Sequence, residues 1–392
     1  MIFKKHFCHL LICIVLVSCS EKKESIGDTQ KPQDFENLVS FKLDSILRIP
    51  IDQYTPYRTY NSQYVQEEGG SKELLLWSNR AINAIEIYDL NLGKLEKRLK
   101  VKKEGPEGIG GKLTGFQYIS KDSLLVTNNK RYEFYLVNSK GNAYQKYSTF
   151  PDKSEKEISV PVVYDYRPIM YAKPVVYIVA KPDKDYNKKG WWSGDLLLEL
   201  NLESKKYKYE LPGPQKFDEK VHGAFFSHHS MLYNGEEIIV SFPIHSDILL
   251  FNPKRNNVQW KYAGSKYFSV IPSWENPAAG KSEKFYIESN SYREILYDKW
   301  NKLYYRLAYR KVEYLDKNNR RVNWDYKIPS IIILNEQFEK VGEYDLPENT
   351  YYTRNTFITP AGLFISINHD ENKKANENFL SFQLFKPTFD SL

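Results

Sequence analysis

Short apolar runs, separated by Asn, Asp, Lys and Gly, recur along almost the whole chain. Leu74 to Trp77 and Ile85 to Tyr88 lead into Asp89-Leu-Asn-Leu-Gly93 and then Leu95 to Val101. The same order returns in Gly115 to Ile119, Ser123 to Thr127, Glu133 to Val137, the turn Asn138-Ser-Lys-Gly141 and Tyr144 to Phe150. No stretch of 12 or more residues carries a 3.6-residue apolar period, so the pattern predicts strands throughout.

The strands group into four-strand units whose third member runs into Asp or Asn. These third strands are Glu86 to Leu90, Phe134 to Asn138, Leu197 to Asn201, Ile248 to Asn252 and Ile331 to Asn335. Meandering strands repeating at roughly 35 to 55 residues imply radial or solenoidal packing. The units run from about Tyr57 to Val101, Leu113 to Phe150, Val162 to Leu211, His228 to Tyr262, Tyr292 to Leu346 and Arg354 to Phe385. The last is one strand short, and Leu38 to Leu43, an alternating strand with no unit of its own, can complete it beside Phe379 to Phe385. Such closure pairs two otherwise exposed edges. The expected fold is therefore an all-β, six-bladed β-propeller closed by its N- and C-terminal strands. Seven blades are the alternative, and a sandwich or β-helix remains open. Lys181 to Gly194, Lys266 to Glu288 and Glu313 to Tyr326 read as long insertions.

The first 19 residues follow a different pattern. Lys4 and Lys5 precede the apolar run Phe7 to Val17, about 11 positions where a membrane-spanning helix needs about 20. The exit Leu16-Val17-Ser18-Cys19 resembles the lipobox of bacterial lipoproteins, which implies cleavage before Cys19 and a diacylglycerol on its thiol. The expected organisation is a signal peptide over 1–18, a polar flexible tether over 19–36 and a single propeller domain over 37–392. The corresponding location is the cell envelope, with the lipid-anchored domain periplasmic or surface-facing.

Cys8 and Cys13 would leave with the signal, so the mature domain would have no free thiol and no disulfide. About 370 residues suffice for a core without covalent staples. The formal charge of +7 falls to about +5 once Lys4 and Lys5 are removed, and basic residues are interspersed with acids. That balance gives no nucleic-acid footprint. Aromatic residues make up 15%, with 31 Tyr, which suits strands and amphipathic surfaces.

Lys103-Glu-Gly-Pro-Glu-Gly108 resembles the Gly-x-Gly-Pro-Gly-type blade junction of six-bladed, NHL-like propeller lipoproteins of Bacteroidetes. With the lipobox, the length and the Tyr-rich strands, the chain is similar to the DUF4221 family. The resemblance implies a ring of blades with a ligand or partner on one face. It supplies no catalytic residues.

Candidate binding residues cluster where the inner strands begin. Tyr57-Arg58, Tyr166-Arg167, His228-His229, Tyr292-Arg293 and Thr353-Arg354 would form a basic ring suited to a carboxylate, phosphate or acidic glycan. The structural alternative has each Arg bonding carbonyls or an Asp of a neighbouring blade. Trp191 and Trp192, in the Gly-flanked loop Asn187 to Gly194, and Trp274 are candidate sugar or partner contacts, or packing residues. Gly223 to Phe226 reads either as a pocket rim or as a packing turn.

Metal binding has little support: adjacent strand residues such as His228 and His229 point to opposite faces, and no His-Glu-x-x-His occurs. No cofactor motif and no Gly-x-Ser-x-Gly elbow is found. The expectation is a membrane-tethered binding protein for an anionic or glycan ligand or an envelope protein, without nucleic acid. Its rival is a polysaccharide- or peptide-acting hydrolase or lyase. The rival predicts carboxylates converging in the central cleft.

Overall fold

The computed structural model of the protein describes residues 37–67, 69–70, 72–151, 158–275, 277–278 and 280–389. The segments expected to be signal peptide (1–18) and tether (19–36), with Cys19, lie outside the described residues.

The third strands show why the blades pack as they do. In Ile328–Leu334 the four residues Ile331 to Leu334 have no exposed surface. Successive side chains on a strand point to opposite faces, so both faces of this sheet are covered. Each such side chain contributes about 1.5–3 kcal/mol when fully buried. Only stacking of sheet on sheet supplies two apolar faces, and the fourth strands, such as Lys94–Lys100, are left mostly exposed at the rim.

Six antiparallel sheets result among the described residues. Blade 1 holds Ser62–Gln66, Glu73–Asn79, Ala84–Asp89 and Lys94–Lys100; blade 2 holds Leu113–Ser120, Ser123–Asn128, Glu133–Asn138 and Ala143–Ser148. In blade 3, Ser159–Pro161 and Met170–Ala172 both pair with Val175–Pro182, followed by Asp195–Asn201 and Tyr207–Pro212. Blade 4 holds Ser230–Tyr233, Ile238–Ser241, Asp247–Asn252 and Asn257–Tyr262; blade 5 holds Ser291–Asp298, Leu303–Arg310, Ile328–Leu334 and Lys340–Asp345. Blade 6 holds Tyr352–Thr359, Gly362–Ser366, Phe379–Phe389 and, from the other end of the chain, Val39–Pro50. First strands touch first strands from blade to blade, and that of blade 6 returns to Ser62–Gln66. The chain is thus an all-β, six-bladed β-propeller with its terminal strands paired in one sheet.

The Asx punctuation has a direct cause. The Oδ1 of Asn201 accepts from the backbone N–H of Glu203 and Ser204 at 3.0 and 2.8 Å, and Asn252 and Asn335 bond their turns in the same way. Each side chain satisfies the turn's N–H groups as the strand reverses. At the seam, Val39–Pro50 runs antiparallel to Phe379–Phe389, with Val39 opposite Phe389 and Pro50 opposite Phe379. It extends past the expected Leu43 through a bulge between Leu43 and Ile46. Phe41 anchors it, with its ring 5.2 Å from Tyr305 and 5.8 Å from Phe385. At the resemblance-bearing junction, Gly105 has φ of 83° and its carbonyl accepts from Gly108 N–H at 3.0 Å, closing a tight turn that favours glycine.

Candidate functional site

The first strands surround a central cavity of about 820 Å³, walled by Tyr64, Phe116, Met170, Met231, Ile295 and Phe357, one from each blade. Gly235 and Lys299, where first strands finish, are exposed, whereas Asp165, Tyr166 and Glu294 at the other end have little open surface. The cavity therefore opens where the first strands finish. Trp300, Tyr64 and Phe357 form an aromatic wall toward that mouth, with Tyr64 edge-on to Trp300 at 5.9 Å and stacked on Phe357 at 6.3 Å. Polar groups are spaced between: Asn61 Oδ1 accepts from Phe116 N–H at 3.2 Å, and Gln63 Oε1 from Tyr118 N–H at 2.8 Å. These bonds occupy the carbonyl ends, so the NH₂ ends are what those side chains can offer a ligand.

The blind end is built by interruptions of the first strands. In blade 3, residues 162–169 leave the sheet, and Tyr164 and Arg167 exchange backbone bonds of 3.2 and 3.1 Å, so Asp165 and Tyr166 form the tip of a small hairpin. In blade 5 the register shifts between Tyr292 and Ile295, releasing Arg293 and Glu294; in blade 6 it shifts between Tyr352 and Thr356, releasing Arg354. Bulges re-aim side chains that a regular strand would send to opposite faces.

Tyr166 closes the channel. Its ring meets the guanidinium groups of Arg293 at 4.7 Å, Arg167 at 5.4 Å and Arg354 at 5.6 Å, and lies 5.7 Å from His228. Trp324 packs against Arg293 and Arg354 at 4.5 and 5.1 Å. Cations over desolvated aromatic faces are held by the ring quadrupole as well as by their counter-charges.

Those counter-charges face the cavity. Arg354 Nε and Nη2 donate to Asp165 at 3.0 and 3.3 Å, and Tyr166 N–H donates to the same carboxylate at 2.9 Å. Arg293 Nε lies 3.0 Å from Glu294 Oε1, yet the alignment is poor and neither atom completes a hydrogen bond. Glu294 Oε2 receives a long bond from Tyr309, at 3.4 Å. Burial pushes the Glu294 carboxyl above its ordinary value, with Arg293 opposing and Asp165 adding to the rise. For Arg293, burial works against the charge, but Glu294 and the nearby tyrosines outweigh it and the guanidinium stays charged.

The sequence-proposed residues thus divide. Arg167, Arg293, Arg354 and His228 come together around Tyr166. Arg58 is displaced toward the rim, 4.3 Å from the Tyr352 ring and paired with Asp370 at 2.7 Å. Arg167 is buried and donates to the carbonyls of His229 and Ser227 at 2.8 and 2.6 Å. His228 and His229 differ from the expected near-neutral switch: burial first, then Arg167, holds both well below their ordinary range and keeps them neutral.

Trp191 and Trp192 do not stand in solvent: they are 6% and 3% exposed, and Trp192 packs on Phe217 and Phe242. Their loop is drawn in because Asp218 accepts from Ser193 N–H at 3.1 Å and its carbonyl from Gly190 N–H at 2.9 Å. Trp274 lies flat on Phe285 at 5.3 Å and crowds Gly223, where any side chain would meet the indole at 2.9 Å. The Gly223 segment is accordingly a packing contact there. Among the described residues, no group of three or more His, Cys, Asp or Glu is placed to hold a metal ion.

Residues 38–345 match the model of DUF4221, a domain of unknown function. The chain belongs to the DUF4221 family. A solved DUF4221 member from Bacteroides vulgatus is similar at a TM-score of 0.79 and 24% identity, covering 91% of this chain and 100% of that one. A protein classed as exported from Bacteroides fragilis aligns at a TM-score of 0.54 and 9% identity, covering 92% and 98%. Virginiamycin B lyase from Staphylococcus aureus reaches a TM-score of only 0.40 at 11% identity, covering 88% and 99%, too distant to bear on activity. No functionally curated protein matches the chain.

In this DUF4221 chain the groups that sequence reasoning passed over are Asp165, Glu294, Tyr64 and Trp300. The first two sit beside singled-out pairs in Asp165-Tyr166-Arg167 and Arg293-Glu294. An acid adjacent to an inner-strand Arg is the signal that could have found them. Strict alternation argued against it.

Proposed function

We propose that the protein is an extracytoplasmic binding protein, tethered to a membrane of the cell envelope by a lipid on Cys19, whose ligand is a neutral glycan held in the central cavity. The observation that carries the reading is the lining of that cavity. Aromatic walls suit the apolar faces of sugar rings, amide NH₂ groups suit their oxygens, and two carboxylates at the blind end suit their hydroxyl donors. A volume of about 820 Å³ falls in the range of small-molecule sites. The buried guanidinium groups argue for a neutral ligand over a charged one. Asp165 and Glu294 stand between the cavity and Arg293 and Arg354, so an anion meets carboxylates first, while a cation is disfavoured by the arginines behind them.

Titration calorimetry with xylohexaose, cellohexaose, maltohexaose and hexagalacturonate tests this. Binding of at least one neutral glycan, weakened about tenfold by Trp300→Ala, is expected, a change of about 1.4 kcal/mol. Binding of hexagalacturonate alone would favour the basic residues Arg58, Arg167, Arg293 and Arg354 as the ligand contacts, and no binding would remove the glycan reading. Metabolic labelling with radioactive palmitate, retained by the wild type and lost with Cys19→Ser, tests the tether.

A second reading, cleavage of the bound glycan, is favoured by the pairing of Glu294 with Asp165. Glu294, held toward its protonated form, would deliver that proton to the glycosidic oxygen as its bond to the anomeric carbon breaks, while water adds to that carbon and gives its own proton to Asp165. It stands second because Arg354 already donates to both Asp165 oxygens. Mass spectrometry of the same oligosaccharides after prolonged incubation decides it, since shortened products require turnover.

A further inference from the structure

The channel of this propeller is not a through-passage. The hairpin tip of blade 3 crosses to meet His228 of blade 4, Arg293 of blade 5 and Arg354 of blade 6, leaving a cavity with one mouth. A polymer cannot thread such a cavity; only its end fits. At the closed end, Glu294 has a side chain 4% exposed, and its Oε1 receives no hydrogen bond although Arg293 Nε is 3.0 Å away. A buried carboxylate oxygen left without a hydrogen bond is destabilising, so a donor arriving there gains what the fold leaves unmet. Asp165 beside it is fixed by Arg354 and the Tyr166 N–H and forms a rigid second acceptor.

We propose that the cavity recognises chain ends: the terminal sugar of a neutral glycan enters past Trp300, rests against Tyr166 and donates hydroxyl protons to Glu294 Oε1 and Asp165. The inference rests on the glycan reading above and adds orientation and a specificity determinant to it. The terminal unit contacts the carboxylates, and later units lie against Tyr64 and Trp300 at the mouth. Discrimination follows from burial, because a terminal unit lacking a hydroxyl there leaves Glu294 unpaired. Arg293 and Arg354 act as positioning residues that hold the two carboxylates in place.

The test compares linear maltohexaose with α-cyclodextrin, which has the same linkage and six units but no ends, together with xylohexaose, cellohexaose and β-1,4-mannohexaose. At least one linear glycan is expected to bind, and α-cyclodextrin is expected not to. For the linear glycan that binds, Glu294→Ala is expected to weaken affinity at least tenfold, Glu294→Gln to restore it to within about threefold, and Trp300→Ala to weaken the hexamer more than the dimer. Unfolding midpoints of the variants within a few degrees of wild type exclude misfolding as the cause. Binding of α-cyclodextrin as tightly as the linear hexamer, or full affinity in Glu294→Ala, would overturn end recognition while leaving the glycan reading intact. Failure of every linear glycan would remove both.

Discussion

Two closures make this molecule, and they use opposite physics. The seam between Val39–Pro50 and Phe379–Phe389 closes the ring of sheets with long antiparallel pairing, interrupted by one bulge, and apolar side chains such as Phe41, Ile49 and Leu380. The plug around Tyr166 closes the channel with broken strands, guanidinium groups and carboxylates. The seam meets the usual rules of strand pairing and burial, so its role is stability. The plug departs from them further, with first strands interrupted in three blades, an unaligned ion pair and an unbonded carboxylate oxygen, and such departures concentrate at functional sites.

Removing residues 38–50 tests the contrast most severely. Blade 6 would keep three strands and leave the edge of Phe379–Phe389 unpaired, and loss of the cooperative unfolding transition followed by circular dichroism is expected. Phe41→Ala removes one anchor from a site with no polar compensation, and a cost of about 3–5 kcal/mol in urea denaturation is expected. Arg354→Met should cost about 3 kcal/mol, because Asp165 is left buried with only one of its bonds; Asp165→Asn in the same background should recover much of that. If the single change at Arg354 were neutral, the plug would not depend on its ion pairs.

Acidity separates the plug from the buried groups outside it. His222 is pushed down to about 4 by burial, with Lys220 adding, so below pH 6.5 the unfolded chain binds a proton that the native state refuses. Stability is therefore lost as pH falls from 6.5 toward 4, by about 1–2 kcal/mol from this residue at pH 5, and His222→Asn should flatten that slope. Glu294 has the opposite sign. Its raised value means the unfolded chain releases a proton first, so stability falls as pH rises from the ordinary Glu range through the folded value. Glu294→Gln should remove that decline, measured by urea midpoints across pH. The smallest effect is expected at the exposed pair Lys102–Glu107, where Lys102→Ala should change stability by about 0.5 kcal/mol or less.

How far each region was legible follows from the same contrast. The Asn that ends Leu197 to Asn201 and its counterparts announced the blades because a side-chain acceptor at a strand end has one common use, bonding the turn. The orphan strand after the tether announced the seam because a lone alternating strand needs an edge. Arg167, Arg293 and Arg354 drew notice as bases repeated at inner-strand starts. Their acids did not, since period-two alternation sends Glu294 away from Arg293, and only the register shift between Tyr292 and Ile295 brings both to the channel. Trp191 and Trp192 stayed open between contact and packing for a related reason: Asp218, 26 residues beyond Trp192, ties their loop inward, and nothing local signals that contact.

The central claim is that the blind cavity, and not the outer loops, is where the ligand sits. Hydrogen exchange with and without a bound neutral oligosaccharide tests it most directly. Added protection is expected in residues 162–169 and 294–300, with none in 187–194 or around Arg58. Protection confined to those outer segments, with the hairpin at Tyr166 unchanged, would contradict it.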